Sequence, residues 1–289
     1  MILVTGSTGH FGKAAINFLL EKVPANTIAA LARDENKAAD LKAKGIDVRI
    51  GSYQDFDSLV KAFTGIDKLL LISSNDLNDR TAQHINAVNA AKEAGVKHIV
   101  YTGVNIKEKT NYAIPSLVES HITTTRHLKD SGLAYTLLNN NLYADVLPMF
   151  IGDKVLETGI FFPAGDGKAP FATRENMAEA AANILTSDGH ENKAYAISSG
   201  VTYTFSDVAD ILSELSGNTI NYVSPEKEVY VETLTKAGVP AEYVNLFAGF
   251  GDAINQGEFD LPNNTLETLI DRKPTALKDY LKAIYFSNN

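Results

Sequence analysis

No cysteine occurs in the 289 residues of this chain. Disulfides, iron–sulfur clusters, thiolate zinc sites and a cysteine nucleophile are therefore excluded, and the absence is compatible with a reducing compartment. Long apolar runs are missing as well. Stretches such as Leu69-Leu70-Leu71-Ile72 have the length of a strand, far below the ~20 residues that span a bilayer. The opening Met1-Ile2-Leu3-Val4 carries no basic segment and no small-residue cleavage site, so a cytoplasmic location without a membrane partner is expected. Positive charge is scarce. The 26 Lys and Arg against 35 Asp and Glu give a formal net charge of -9, which argues against binding nucleic acid through its phosphates. What remains is an ordinary globular composition, 45% hydrophobic and 21% charged. A chain of this length builds one large domain, or a core with a smaller lobe.

The first half alternates strand and helix signals. Short apolar runs at 2–5, 27–32, 47–50, 68–73, 98–102 and 134–138 show little alternation, as strands buried on both faces do. Amphipathic segments at 13–20, 36–43, 57–63, 81–94 and 122–128 lie between them, with stops at Ala94-Gly95 and Ser131-Gly132. Repeated strand–helix–strand order implies a parallel sheet with helices on both faces. After Tyr143 the pattern loosens. Residues 145–156 read as a helix, 174–185 as another and 194–198 as a strand, and the chain beyond Phe205 reads as mostly helical. The fold class expected is α/β, a Rossmann-type doubly wound parallel sheet with a smaller C-terminal substrate lobe. Residues 1–142 form the nucleotide-binding domain and 143–289 the lobe, from which the strand near 194–198 returns to the main sheet.

The sharpest motif is Thr5-Gly6-Ser7-Thr8-Gly9-His10-Phe11-Gly12, set between the first strand and the first helix. In that place Gly6 serves the tight turn, Gly9 a close approach of backbone to a pyrophosphate, and Gly12 the packing of helix on strand. Bare N–H groups and the dipole at the helix start favour phosphate. Ser7 and Thr8 offer hydroxyl donors besides. At the end of the second strand, where an NAD-specific fold places Asp or Glu, the chain reads Ala30-Leu31-Ala32-Arg33. A guanidinium suits a 2′-phosphate, so the cofactor expected is NADP(H). The adjacent Asp34 binds a ribose hydroxyl or caps the next helix.

Catalytic constellations of other kinds are lacking. None of the 12 tyrosines is followed four residues on by lysine; Tyr101 meets Asn105, Tyr135 meets Asn139 and Tyr143 meets Leu147. The six histidines include no His-x-x-x-His pair, so no metal site is expected, and there is no Gly-x-Ser-x-Gly elbow. A nicotinamide carries its own hydride, and an acceptor stabilised by its own oxygens needs little acid from the protein. Direct delivery to a quinone or similar conjugated electrophile suits such a site.

The segments Gly6–Gly12, Arg33, 68–74, Ala94-Gly95-Val96-Lys97-His98-Ile99 and 131–138, together with 164–168, 172–174 and 189–193, resemble the NmrA-like atypical short-chain dehydrogenase/reductase family. The resemblance is nearest to its bacterial NADPH quinone oxidoreductase and triphenylmethane reductase branch. It covers most of the chain and implies that Gly6, Ser7, Thr8, Gly9, His10, Phe11, Arg33, Ser73 and Ser74 contact the cofactor. It also implies that Leu138, Asn139, Asn140, Asn141 and Tyr143 line the cofactor and substrate cleft. Two departures stand out: Asn139 where relatives carry Arg, and Thr125 where they often carry Glu.

Several residues keep two readings. Asn141 and Tyr143 are the substrate-side candidates, against a structural role in which Tyr143 packs between the lobes. Asn139–Asn141 suit a neutral quinone or form a polar loop. His121 donates a proton or, the favoured reading, is an exposed helical histidine. His10 contacts phosphate through its backbone whatever its ring does. Phe150, Phe161, Phe162 and Phe171 wall a planar acceptor or fill the core. The chain as a whole reads as an NADPH-dependent reductase, as a non-catalytic NADP(H)-binding redox sensor of the NmrA type, or, least well, as a sugar-nucleotide epimerase or dehydratase. Either a monomer or a homodimer fits.

Overall fold

Each short apolar run of the first half becomes a strand, and each amphipathic segment a helix behind it. The structure, a computed structural model, describes residues 1–76 and 79–287. The strands are β1 (Ile2–Val4), β2 (Ile28–Ala32), β3 (Asp47–Ile50), β4 (Lys68–Leu71), β5 (His98–Val104), β6 (Ala134–Asn140), β7 (Ile160–Phe161), β8 (Lys193–Ile197) and β9 (Tyr222–Val223). The helices of the first half are α1 (His10–Leu20), α2 (Ala39–Ala43), α3 (Phe56–Phe63), α4 (Arg80–Glu93) and α5 (Pro115–Asp130). Those that follow are α6 (Leu147–Ile151), α7 (Val155–Thr158), α8 (Arg174–Thr186), α9 (Phe205–Ser216), α10 (Lys227–Lys236), α11 (Ala241–Asn255), α12 (Thr265–Ile270) and α13 (Leu277–Tyr285). Among the described residues, no helix is long and apolar enough to cross a membrane.

The main sheet is parallel throughout, in the order β3-β2-β1-β4-β5-β6-β8. This is the Rossmann-like α/β arrangement, reversing direction beside β1. Side chains alternate across it. Val4, Leu70, Val100 and Leu138 pack with α1, α8 and α12, while Leu3, Leu69, Leu71, Ile99 and Tyr101 pack with α3, α4 and α5. Because helices cover both faces, β2 is buried along its whole length. β8 joins the edge of the sheet by pairing with β6.

A separate apolar cluster lies in the second half. Phe150 stacks on Phe162 at 4.7 Å between centroids, and Phe162 meets Phe205 at 4.6 Å. Phe171 lies edge-on to Phe205, and Phe161 stacks on Tyr230. Phe150, Phe162 and Phe171 are buried in this cluster, so they fill the core and do not wall a cleft.

Two segments differ from the sequence pattern. The helix expected over 145–156 is replaced by a 3-10 turn (Ala144–Val146), α6 and α7, with α6 ended by Gly152 at a positive φ of 81°. The apolar run 68–73 leaves the sheet after Leu71, since neighbouring side chains take its main-chain groups. Tyr53 Oη donates to the Ile72 carbonyl, and Ser73 N–H donates to Thr102 Oγ1 at 2.8 Å.

Candidate functional site

The carboxyl ends of β1, β4, β5 and β6 lie along one edge of the parallel sheet, where such sheets usually bind ligands in a cleft. The glycine loop forms its floor. Gly6 turns with a φ of 54°, and its carbonyl accepts from Gly9 N–H at 3.0 Å. A Cβ on Gly9 would meet nothing nearer than that carbonyl oxygen, at 3.3 Å. The loop therefore presents bare backbone where α1 begins, with no acidic residue in its first turn. N–H groups of a first helical turn have no partner inside the helix, so the seat suits an anion.

Thr5 and Tyr53 fix this loop to β4. Thr5 Oγ1 donates to the Leu70 carbonyl at 3.0 Å, accepts from Ile72 N–H and lies against the Tyr53 hydroxyl. Ser7 is fully buried, and its hydroxyl donates to the Leu31 carbonyl at 2.7 Å. Its one proton is thus held by β2, and any contact it makes with a phosphate runs through its main chain. Arg33 stands exposed just past β2. Asp34 Oδ1 accepts from Asn36 N–H at 2.9 Å, an Asx turn and not the helix cap of the sequence reading, since the 3-10 turn Asn36–Ala38 has no side-chain cap.

Ser73 and Ser74 stand opposite the loop. Ser74 Oγ donates to Gln83 Oε1 at 2.7 Å, and its N–H donates to His84 Nε2 at 2.8 Å. On β6, Leu138 points into the core and can face the cleft only with its backbone. Asn139 lies against Gly103, where its Oδ1 occupies the space of a Cβ. Asn140 Nδ2 donates to Tyr143 Oη at 3.0 Å, while its Oδ1 is buried without a partner among the described residues. Tyr143 packs 6.2 Å from Phe11 of the glycine loop, beneath the Arg174 guanidinium at 4.8 Å. Burial raises its pKa.

Two substrate-side expectations are corrected here. The Asn141 carboxamide is committed to the chain: Nδ2 donates to the Phe259 carbonyl at 3.0 Å, and Oδ1 accepts from Leu142 N–H. His121 is not an exposed helical residue, being only 6% accessible. α5 turns it inward, where Nδ1 lies 2.8 Å from Tyr101 Oη and Nε2 lies 2.8 Å from Arg80 Nη2. Burial, and then Arg80 and His84, hold its pKa well below the ordinary imidazole value, so the ring is neutral at neutral pH, with one N–H for hydrogen bonding and no imidazolium acid.

This buried group was not anticipated from sequence. Tyr101 Oη also lies 3.3 Å from His84 Nδ1, which lies 3.0 Å from Thr124 Oγ1. Burial pushes the Tyr101 hydroxyl up and, with Arg80 as the lesser cause, pushes His84 down to about 3. Burial lowers Arg80 too, yet an arginine remains charged at neutral pH. The available signal was the polar pair Arg80 and His84, one helical turn apart on α4. Beside this group a depression of about 530 Å³ is lined by Val104, Ile106, Tyr112, His121, Thr125 and Asn139 among others.

The neutral histidines make acid stability a direct test. An unfolded chain binds their protons below about 6.5, whereas the folded one excludes the proton from His84 down to about 3. Stability is complete above the unfolded value and declines as pH falls through this window, by up to about 1.4 kcal/mol per pH unit for each histidine. Thermal unfolding should shift downward in mildly acid buffer, before carboxylates titrate, and the shift should shrink in His84→Gln. A Tm that is flat until the carboxylate range would contradict this.

A model of the NmrA-like family matches residues 1–284. Quinone oxidoreductase 2 of Escherichia coli (strain K12) is 36% identical over 290 residues, covering 100% of both chains. Among solved structures, Citrobacter sp. triphenylmethane reductase complexed with NADP(H) matches with a TM-score of 0.91 at 38% identity, over 98% of this chain and 100% of that one. The NADPH-dependent quinone oxidoreductase of Escherichia coli complexed with NADPH gives 0.93 at 34% identity, over 99% and 100%.

Proposed function

Because this chain belongs to the NmrA-like family, we propose that its cleft passes hydride from NADPH directly to a quinone or a similarly conjugated electrophile. The chain is an NADP(H)-dependent oxidoreductase. The observation that carries the finer reading is the open backbone cradle at the start of α1, which faces strand ends bearing an unpartnered acceptor, Asn140 Oδ1. Phosphates fit the first and an N–H donor such as a carboxamide fits the second, so the residues present suit the dinucleotide.

When bound, NADPH supplies two electrons and one hydrogen nucleus as hydride from its nicotinamide. The chain does the positioning. The main chain of Gly6, Ser7, Thr8, Gly9, His10 and Phe11 holds the pyrophosphate, and Arg33 holds the 2′-phosphate through charge-assisted bonds. Ser73, Ser74 and the backbone of Leu138–Asn140 border the cofactor, and Tyr143 closes the floor against Phe11. Asn141 acts at one remove by fixing the turn before Tyr143.

The buried network offers no ready acid. His84 and His121 are neutral and the Tyr101 hydroxyl is pushed up by burial. An acceptor whose reduced form keeps its charge on conjugated oxygens, and takes its proton from water, matches this chemistry. Mixing enzyme and NADPH with a panel of benzoquinones should consume one NADPH for each quinone reduced. Tight NADPH binding with no turnover across the panel would replace this reading with the redox-sensor one.

A further inference from the structure

Arg80 has an arrangement that folding alone does not call for. It is the first residue of α4, and none of the ion pairs among the described residues includes it. Its Nε is buried with no hydrogen-bond partner among the described residues. A half-buried guanidinium without a carboxylate, in a chain of net charge -9, is costly unless something else neutralises it. Its Nη2 reaches His121 at 2.8 Å, and His121 lines the depression beside Asn139 on β6.

Hydrogen-bond arithmetic fixes what lies behind it. A guanidinium only donates, so His121 Nε2 accepts and the ring's one proton sits on Nδ1, donating to Tyr101 Oη. His84 Nε2 accepts from Ser74 N–H, which puts its proton on Nδ1, facing Thr124 and Tyr101. Thr124 Oγ1 in turn donates to the Ser120 carbonyl at 2.7 Å. Every group backing the arginine is therefore neutral and oriented. The cation is held in place while no carboxylate among the described residues pairs with it.

We propose that Arg80 is a catalytic residue whose guanidinium binds the acceptor's oxygen as that oxygen becomes an anion, with Tyr101, His84 and His121 as the residues that position it. The proposal rests on the reductase reading. In the step itself, a C–H bond of the dihydronicotinamide breaks, and its hydrogen and electron pair pass to the quinone. The products are NADP+ and a hydroquinone monoanion, whose oxyanion faces Arg80 until water protonates it. A fixed cation placed where charge develops lowers the barrier without reorganising.

The test uses the full-length protein carrying Arg80→Gln or Arg80→Lys. With benzoquinone in single turnover, Arg80→Gln should lower the hydride-transfer rate about a hundredfold, with partial recovery in Arg80→Lys and NADPH affinity unchanged. A second readout needs no turnover. 4-Nitrophenol added to the NADP+-loaded wild type should ionise about one pH unit lower than in water, and Arg80→Gln should abolish that shift. A variant as fast as wild type, an equal loss of NADPH affinity, or an unaltered nitrophenol titration overturns the proposal. A wild type that reduces no quinone yet still shifts nitrophenol overturns the reductase reading and upholds Arg80 as an oxyanion site.

Discussion

Gly12→Ala should destabilise the protein by about 3 kcal/mol, a fall in Tm of about 6–10 °C for a chain of this size, and weaken NADPH binding with it. A Cβ at position 12 would lie 2.3 Å from the Gly6 carbonyl oxygen and 2.8 Å from Ser7 Cα. Both obstacles are backbone and neither can swing aside, so α1 must move away from β1 or the loop must shift. The same loop is the proposed phosphate seat, and affinity should fall with stability. Gly9→Ala separates the two effects. Gly9 has an extended backbone, φ -83° and ψ 170°, that alanine adopts readily, and its Cβ would find open space apart from one carbonyl. Its Tm should stay near that of wild type while NADPH affinity drops, because the methyl stands where phosphate approaches. Thermal melts with and without NADPH read both variants. A Gly9→Ala protein that binds NADPH normally would remove the phosphate from this loop.

Glu258→Ala should cost about 3 kcal/mol as well, by breaking a buried pair from one side. Glu258 is 0% exposed, and its Oε1 accepts from Lys109 Nζ at 2.8 Å and from Ala113 N–H at 3.2 Å. Its carbonyl accepts from Lys107 N–H. These bonds hold the loop between β5 and α5, which carries Ile106, Glu108 and Tyr112 along the depression beside Asn139. Without the carboxylate, Lys109 keeps Gln256 alone and the Ala113 N–H loses its acceptor. Denaturant unfolding should show the loss of stability, and limited proteolysis should cut within residues 105–114. Glu258→Gln retains an acceptor for both donors and should recover part of the stability. Unchanged unfolding in Glu258→Ala would show that the loop is held by other contacts.

What could be read from sequence was local. Gly6, Gly9 and Gly12 stand out by their spacing together with their place between the first strand and the first helix, and the alanine-rich β2 reveals burial on both faces by its composition. Arg33, the proposed phosphate ligand, is singled out by its place at the end of that strand. The parts that could not be read join distant positions. Arg80, Tyr101 and His121 come from α4, β5 and α5, and only the sheet order brings them together, so His121 looks like a surface residue in its own helix. Ser7 and Asn141 fail for a related reason. Their side chains are chemically fit for a ligand, yet backbone carbonyls far along the chain, Leu31 and Phe259, claim them first. The aromatic run at Phe150, Phe161, Phe162 and Phe171 is equally ambiguous until Phe205 closes over it.

Calorimetric titration of the wild type and Arg33→Ala with NADPH and NADH tests the central claim most directly, that the amino end of α1 and the arginine past β2 together seat a phosphorylated dinucleotide. NADPH should bind saturably and at least about tenfold more tightly than NADH, the worth of a charge-assisted phosphate contact, and Arg33→Ala should remove that preference by weakening NADPH alone. No heat with either nucleotide, or an equal loss for both in the variant, would contradict it.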